Sequence, residues 1–439
     1  MIWHIIRYWI SFVIPVFYKR IQGRNIKNIQ GKNPVIIAMN HPNAFTDPIL
    51  ITHLSYPIKV RYLARGDAFK PGFAAWFLGR LGIVPIFRIQ DGGREGLKKN
   101  DDAYRMVNRL LKKNCKIIVF AEGLCVQERR LRPLKKGVSR MIFGAYEYLG
   151  DNNKLTVVPV GINYSKADKF RSNVFYNAGD PIPVKDYIAD FKENPAKANN
   201  NFLQLLAPKM KDLITHINDP ANDETVLQVE TILKKDILKE RKLTFRDLHN
   251  DFIVLKELTE KVNNVAEKQP ELLNEFKDKA KIYFDTLKKN NLRDWLFSPR
   301  QKYKHSAFHL FIRTFLFVIG LPAFIVALVG NYIPYKLTEK ITVKIVKHKE
   351  FYSSFAIALG MIFFMINYVL WFTITYSFSE SVITPILLVS TILACSWIGL
   401  YYYPFTKKTM GIYRIIKNKA LYNDLFEKRK ELVSLINKF

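Results

Sequence analysis

Hydrophobic positions along the chain fall into three regimes. From Val35 to about Pro183, short apolar runs alternate with helical stretches. The strand-like runs are Val35–Met39, Val60–Ala64, Ile83–Ile86, Ile117–Ala121 and Val157–Ile162. Runs apolar at nearly every position, rather than at every second one, belong to strands covered on both faces. The pattern therefore predicts an α/β fold, a sheet flanked by helices, with no internal repeat. Between about Asp190 and Arg300 the chain turns to charged helical sequence, as in Lys234–Arg241 and Ile253–Val265. Two readings stay open for it: helical insertions lying on the sheet domain or on a membrane, or a solvated helical bundle.

The third regime is apolar without interruption. Phe351–Phe378 and Ser381–Thr406 carry no charged residue, and each exceeds the roughly 20 residues a helix needs to cross a hydrocarbon core. Only Ser379 and Glu380 separate them, so a transmembrane helical hairpin is expected. Lys344, Lys347 and Lys349 precede the pair, and Lys407, Lys408 and Arg414 follow it. Basic flanks stay cytoplasmic, which places the Glu380 turn outside. An earlier uncharged run, Thr314–Ile333, has basic residues on both flanks and Gly320 and Pro322 near its middle. Proline interrupts the helical hydrogen-bond ladder, so a bent, re-entrant element is expected, with a third full span as the competing reading. At the amino end, Met1–Arg20 reads as an interfacial helix, with Trp3, Tyr8, Trp9 and Tyr18 suited to the headgroup zone. A buried core helix is the alternative on length, and no small-residue cleavage site marks a signal peptide.

Charge sharpens this picture. Lys and Arg number 68 against 38 Asp and Glu, a formal +30. Such a field suits nucleic acid, an anionic membrane surface or phosphorylated substrates. The uncharged runs select the membrane, and nucleic acid is not an expected partner. Three scattered cysteines, Cys115, Cys125 and Cys395, have neither metal-ligand nor disulfide-framework spacing, which fits a reducing cytoplasmic setting.

Candidate chemistry begins where the first apolar strand ends, at Asn40-His41-Pro42-Asn43-Ala44-Phe45-Thr46-Asp47-Pro48. A hydroxyl needs a base to take its proton as it attacks a carbonyl, and histidine titrates near neutrality. A carboxylate on the other ring nitrogen selects the useful tautomer and stabilises the imidazolium. His41 and Asp47 are thus the candidate catalytic pair. Asp47 followed by Pro48 also reads as a helix N-cap, and the two roles are compatible. The helix starting there offers backbone N–H groups to a developing oxyanion.

With three further blocks, the chain resembles the lysophosphatidate and glycerol-phosphate acyltransferase superfamily across about residues 30–185. That family begins with Asn-His and an aspartate, commonly after four intervening residues. Five intervene here, as in a branch that includes fungal-type glycerol-phosphate acyltransferases. Its second block, a glycine, an apolar run and an arginine, matches Gly82-Ile83-Val84-Pro85-Ile86-Phe87-Arg88. An arginine at a strand end suits a phosphate, because its planar fork offers paired donors. The third block, usually Phe-Pro-Glu-Gly-Thr-Arg, appears as Phe120-Ala121-Glu122-Gly123-Leu124-Cys125. Its missing arginine has substitutes in Arg129, Arg130 and Arg132, and the family's downstream lysine matches Lys135-Lys136-Gly137. A covalent route through Cys125 is disfavoured because no histidine lies near it in sequence. The fourth block is Val157-Val158-Pro159-Val160-Gly161, either lining an acyl tunnel or simply packing.

The resemblance implies an acyltransferase-type mixed sheet flanked by helices. The expected divisions are a membrane-associated helix (1–30), an acyltransferase catalytic domain (31–188) and a charged helical region (189–305). An apolar re-entrant or spanning element (306–349), a transmembrane hairpin (350–408) and a basic cytoplasmic tail (409–439) follow. The expected reaction moves a fatty acyl group from an acyl-CoA or acyl carrier protein thioester to 1-acylglycerol 3-phosphate. His41 and Asp47 serve as catalytic residues, and Arg88, Glu122, Gly123, Arg132 and Lys135 bind substrate, with no metal and no cofactor. The partners implied are membrane lipids, the thioester (with its carrier protein, if that is the donor) and the glycerol-phosphate acceptor, with catalysis on the cytoplasmic side. Glycerol 3-phosphate is the alternative acceptor. From another class, the charge and hairpin alone would suit a non-catalytic membrane protein that binds anionic lipids.

Overall fold

The computed structural model describes residues 11–55, 58–66, 72, 83–86, 89–299 and 307–439. Two compact units emerge. One comprises the chain up to His216 with Asp247–Phe252 and His348–Ser354, and the other comprises Ile217–Arg246, Ile253–Lys347 and Phe355–Phe439.

The first unit is built on a sheet of eight strands among the described residues: β1 (Arg20–Arg24), β2 (Val35–Met39), β3 (Val60–Arg65), β4 (Ile83–Ile86), β5 (Lys116–Phe120), β6 (Thr156–Tyr164), β7 (Asn173–Ala178) and β8 (Ile182–Pro183). The order is β1-β7-β6-β2-β5-β3-β4, with β8 on the flank of β6. β2 lies between two parallel neighbours, β5 and β6, and all five of its residues are buried. That accounts for its unbroken apolar run. β7 and β8 pair antiparallel to β6, so the sheet is mixed. The five strands expected from the sequence are all present. β1 and β7 had escaped notice because polar residues interrupt them, as in Arg-Ile-Gln-Gly-Arg and Asn-Val-Phe-Tyr-Asn-Ala.

One face of the sheet, including Ile36, Ala38, Ile117, Val119 and Val157, forms a core with three helices. In chain order, with three shorter helices, these are α1 (Lys27–Gln30), α2 (Thr46–Leu54), α3 (Ile89–Lys112), α4 (Lys136–Leu149), α5 (Ile188–Glu193) and α6 (Pro195–Lys211), the three being α3, α4 and α6. From α3 come Ala103, Val107 and Leu111, and from α6 come Phe202, Leu206 and Met210. Spacing by four residues puts each set on one stripe. Residues 195–211, read from the sequence as part of the charged helical region, thus pack on the sheet. α6 starts at Asn194, whose side chain accepts the Lys197 N–H, with Pro195 in the first turn.

In the second unit, α7 (Asp223–Glu240), most of α8 (Leu248–Lys268), α9 (Pro270–Lys289) and α13 (Lys419–Ile436) enclose their own apolar core, including Ile232, Val262, Phe276, Leu425 and Leu432. Most of its charged residues lie on the outside. The stretch expected as a basic tail is α13, and its Arg429 is buried. Arg429 Nε donates to Asp294 Oδ1 at 2.9 Å, and its Nη2 donates to Asp236 Oδ2 at 2.8 Å.

Between α9 and α13 run α10 (Ala307–Ile345), α11 (Tyr352–Ser379) and α12 (Ile383–Lys417), each long and apolar enough to cross a membrane. α10 continues through Gly320, Pro322 and Pro334 as one helix, where a bent, re-entrant element was expected. It packs antiparallel on α12: Arg313 bonds Thr409, Asn331 bonds Ser396, and Gly320 and Gly330 leave room for Tyr402 and Ile392. Small residues let helices approach closely in lipid, where packing replaces the hydrophobic drive. Large apolar side chains such as Phe315, Val329, Leu370 and Trp397 remain exposed, the surface a bilayer would cover.

Candidate active site

The first block is a turn between β2 and α2 at the carboxyl end of the sheet, where ligands of open α/β sheets bind. Asn40 is buried and bonds Ile162 in both directions: its Nδ2 donates to the carbonyl at 3.1 Å, and its Oδ1 accepts the N–H at 2.8 Å. The side chain thereby continues the β2–β6 ladder for one residue and fixes where His41 emerges. The His41 ring stacks on Phe120 at the end of β5, centroids 3.5 Å apart and planes 11° apart.

His41 Nδ1 lies 2.9 Å from Asp47 Oδ2. A carboxylate only accepts, so the proton sits on Nδ1 and the Nε2 lone pair is free for substrate. The same Oδ2 accepts the Asn43 N–H at 2.8 Å, closing the turn. Asp47 lies inside the first turn of α2 and does not cap it, because its carboxylate reaches back toward His41. Within the five residues between His41 and Asp47, Ala44 has φ +22°. Such backbone is rare for a residue with a side chain, and it is held by the Ala44 N–H donating to Cys125 Sγ at 3.0 Å. Asn43 Nδ2 donates to the Tyr18 hydroxyl and to the Ala167 carbonyl. Tyr18 is fully buried, correcting its expected place among headgroups, while Trp3, Tyr8 and Trp9 lie outside the described residues.

The helix N-terminus is less available to an oxyanion than the sequence suggested. The N–H groups of Thr46 and Asp47 go to the Asn43 carbonyl, and those of Asn43 and Ala44 go to Asp47 and Cys125. Burial pushes the Cys125 thiol far up, with the Asp47 charge adding to it. The thiol stays protonated, which argues against a covalent acyl-enzyme at Cys125.

Glu122 is buried under this turn. Its Oε2 accepts the Arg132 N–H at 2.9 Å, and the carboxylate also accepts the His41 backbone N–H. Burial pushes its pKa up to about 7, against those two hydrogen bonds. Glu122 therefore ties the third block to the first. Gly123 has φ +65°, and a Cβ there would sit 2.9 Å from Lys135 Cγ. Only glycine lets the chain turn while the exposed Lys135 lies across it. Arg132 Nη2 donates to both oxygens of Glu128, each at 3.0 Å, and Arg130 Nε sits 3.3 Å from the same carboxylate. His216 Nδ1 accepts the Leu131 N–H, and burial pushes its pKa down to about 4, so it remains neutral. Arg88 and its neighbours Gly82 and Phe87 lie outside the described residues. Among the described residues no group of His, Cys, Asp and Glu could hold a metal ion.

The segment entering α11 completes the wall. Ser353 Oγ donates to the Ala167 carbonyl at 2.6 Å, Ser354 Oγ is 3.0 Å from Thr46 Oγ1, and Phe351 meets Phe45 edge-on at 6.0 Å. No sequence signal linked these residues, more than 300 positions from the first block, to the site. Asn40, Phe120 and the tyrosines around Asp47 were likewise missed. Asn40 and Phe120 sit inside the blocks, so only their roles were unread.

The acyltransferase family model matches residues 20–163, a segment holding all four blocks. Glycerol-3-phosphate O-acyltransferase 1 of Saccharomyces cerevisiae is 34% identical over 130 residues, 29% of this chain and 17% of that protein. The chloroplastic 1-acyl-sn-glycerol-3-phosphate acyltransferase of Brassica napus is 26% identical over 134 residues, 30% of this chain and 36% of that protein. The chain thus spans well under half the length of these curated relatives. The crystal structure of the 1-acyl-sn-glycerophosphate acyltransferase of Thermotoga maritima aligns with 47% of this chain and 79% of its own, at 16% identity and a TM-score of 0.34.

Proposed function

We propose that this chain, whose residues 20–163 belong to the acyltransferase family, transfers a fatty acyl group from a thioester to the free hydroxyl of 1-acylglycerol 3-phosphate. The observation that carries the reading is the 2.9 Å contact between His41 Nδ1 and the fully buried Asp47 carboxylate. His41 Nε2 takes the hydroxyl proton as the oxygen attacks the thioester carbonyl. The tetrahedral intermediate then collapses, the carbon–sulfur bond breaks, and the imidazolium returns the proton to the leaving thiolate. Asp47 holds the tautomer and stabilises the imidazolium. Arg88, Arg132 and Lys135 hold the acceptor phosphate, and Arg132 exchanges Glu128 for it. Glu122 and Gly123 shape the turn beneath. An acceptor already carrying a chain suits a turn beside Ser354, which leads directly into the uncharged residues of α11.

The catalytic side is the cytoplasmic one in this reading, and the helical unit limits the topology. Residues before α10 (Ile232, Asp236, Asp294) and after α12 (Leu425, Arg429) share one core. They must lie on one side of a bilayer, so an even number of the three apolar helices crosses it.

The test offers purified, detergent-solubilised protein one labelled thioester with either glycerol 3-phosphate or its 1-acyl derivative. Phosphatidate formed only from the acylated acceptor is the expected result. Product only from glycerol 3-phosphate would support the second reading, which the five-residue spacing and the similarity to a yeast glycerol-3-phosphate O-acyltransferase favour. No product from either acceptor, with either acyl-CoA or acyl carrier protein thioester, would sink both.

A further inference from the structure

The buried Asp47 has a charge that His41 alone does not balance. Its side chain has no exposure, and its one ionic partner among the described residues is a base that must be neutral before it can accept a proton. A carboxylate buried in that state needs donors. The Asn43 N–H and His41 Nδ1–H both serve Oδ2, which leaves Oδ1. From the far end of β6, the Tyr164 hydroxyl donates to Oδ1 at 2.5 Å.

Strand register explains why Tyr164 reaches this atom. Met39, the last residue of β2, pairs with Val160, and β6 runs on to Tyr164. Beyond the pairing, Ile162 meets the Asn40 side chain. Tyr164, two positions further on the same face, overhangs the crevice where α2 begins. Tyr176 on β7 also approaches, but its hydroxyl donates to the Asp47 backbone carbonyl at 3.0 Å.

We propose that Tyr164 is a positioning residue of the catalytic dyad: its hydroxyl holds the Asp47 carboxylate turned so that Oδ2 stays on His41 Nδ1. The proposal rests on the general-base reading of His41. Burial, and then the Asp47 charge, raise the Tyr164 pKa well above the ordinary phenol value, so it remains a proton donor throughout the working range. Among the described residues, the other titratable groups around the pair are Tyr18 and Tyr176, with Cys125 and Glu122 from the chain after β5, and Glu350 ahead of α11, which acts on Cys125. None of these is a cation, so none of them replaces a lost donor by charge.

Tyr164→Phe removes one oxygen and little volume. The expected result is a kcat lower by roughly 10- to 100-fold, the worth of one hydrogen bond to a charged group, with KM for both substrates within about twofold. The acid limb of the kcat/KM profile moves to higher pH, by on the order of one pH unit, because the less stabilised carboxylate draws a proton onto the pair more readily. Tyr176→Phe, which spares the carboxylate, leaves the acid limb in place. A purely structural role would make the two variants alike. Equal acid limbs in wild type and Tyr164→Phe would overturn the proposal.

The same proteins are titrated by NMR of the His41 imidazole, identified by its loss in His41→Ala. A midpoint raised in Tyr164→Phe but not in Tyr176→Phe supports the proposal, and one unmoved in both overturns it. That measurement needs no turnover. If the wild type transfers no acyl group, the functional reading fails while the imidazole titration still decides the role of Tyr164.

Discussion

Each unit of this protein buries a carboxylate completely or nearly so, and the two are partnered differently. Asp294 in the helical unit meets Arg429, with Asp236 on another guanidinium nitrogen and the Tyr283 hydroxyl at 2.9 Å. Burial works against the Arg429 charge, but its two carboxylates outweigh that and push its pKa further up. Asp47 in the sheet unit meets a histidine, a backbone N–H and a phenol. The first arrangement has a permanent cation, so it acts as a latch joining α13 to α7 and the chain after α9, although burial still raises the Asp294 pKa. The second has a partner that can gain and lose a proton near neutrality. What separates structure from chemistry here is the partner's ability to titrate, since burial is common to both.

The largest expected effect lies at the titratable pair. His41→Ala, or Asp47→Asn, lowers acyl transfer by on the order of 10³-fold. Unfolding free energy, read by denaturant titration, falls by no more than about 1–3 kcal/mol, too little to unfold the protein and account for the lost activity. Retention of a substantial fraction of activity in His41→Ala would remove the base assignment. Arg429→Met inverts that outcome. It strands the buried Asp294, while the half-buried Asp236 keeps Ser298, and costs about 3–5 kcal/mol, seen as early unfolding of the helical unit, while the surviving folded protein keeps its pH profile. A loss below about 1 kcal/mol would mean the latch is not buried as described.

The smallest effect concerns Glu122, buried on two backbone N–H groups with the Arg132 charge only a minor influence. Its folded pKa of about 7 lies above the ordinary carboxyl value, so the folded state binds the extra proton. Its contribution to stability is full at low pH and is lost as pH rises through about 7. Glu122→Gln should abolish that component. The stability difference between variant and wild type should shift in favour of the variant by about 1–3 kcal/mol between pH 5 and pH 8. A difference independent of pH would show that Glu122 is ionised throughout.

Much of the architecture was legible in the sequence. The five apolar strands are there, the family resemblance of the four blocks is borne out, and the three helices long enough to cross a membrane coincide with the uncharged runs. These are local signals, since an apolar run or a block spacing does not depend on distant chain. The helical unit read poorly because its solvent face carries most of its charge. Its core at Val226, Val229 and Ile232 follows a helical period that the charged composition obscured. α10 was expected as a re-entrant or a spanning element around Pro322, and it runs through that proline as one helix, since a proline removes a single bond of the ladder.

What the sequence alone determined was therefore the inventory: which strands would be covered, which helices would suit lipid, and that a histidine and an aspartate would stand at the mouth of the first strand. The tertiary structure decided their partners. Tyr164 lies 117 residues from Asp47, and Ser353 and Tyr18 are brought in from opposite ends of the chain. No spacing rule reaches across such distances. A side chain's electrostatic surroundings depend on how far one strand outruns its neighbour and on which face it then presents. That is set by the register of β6 against β2 and β7, which exists only once the sheet has formed.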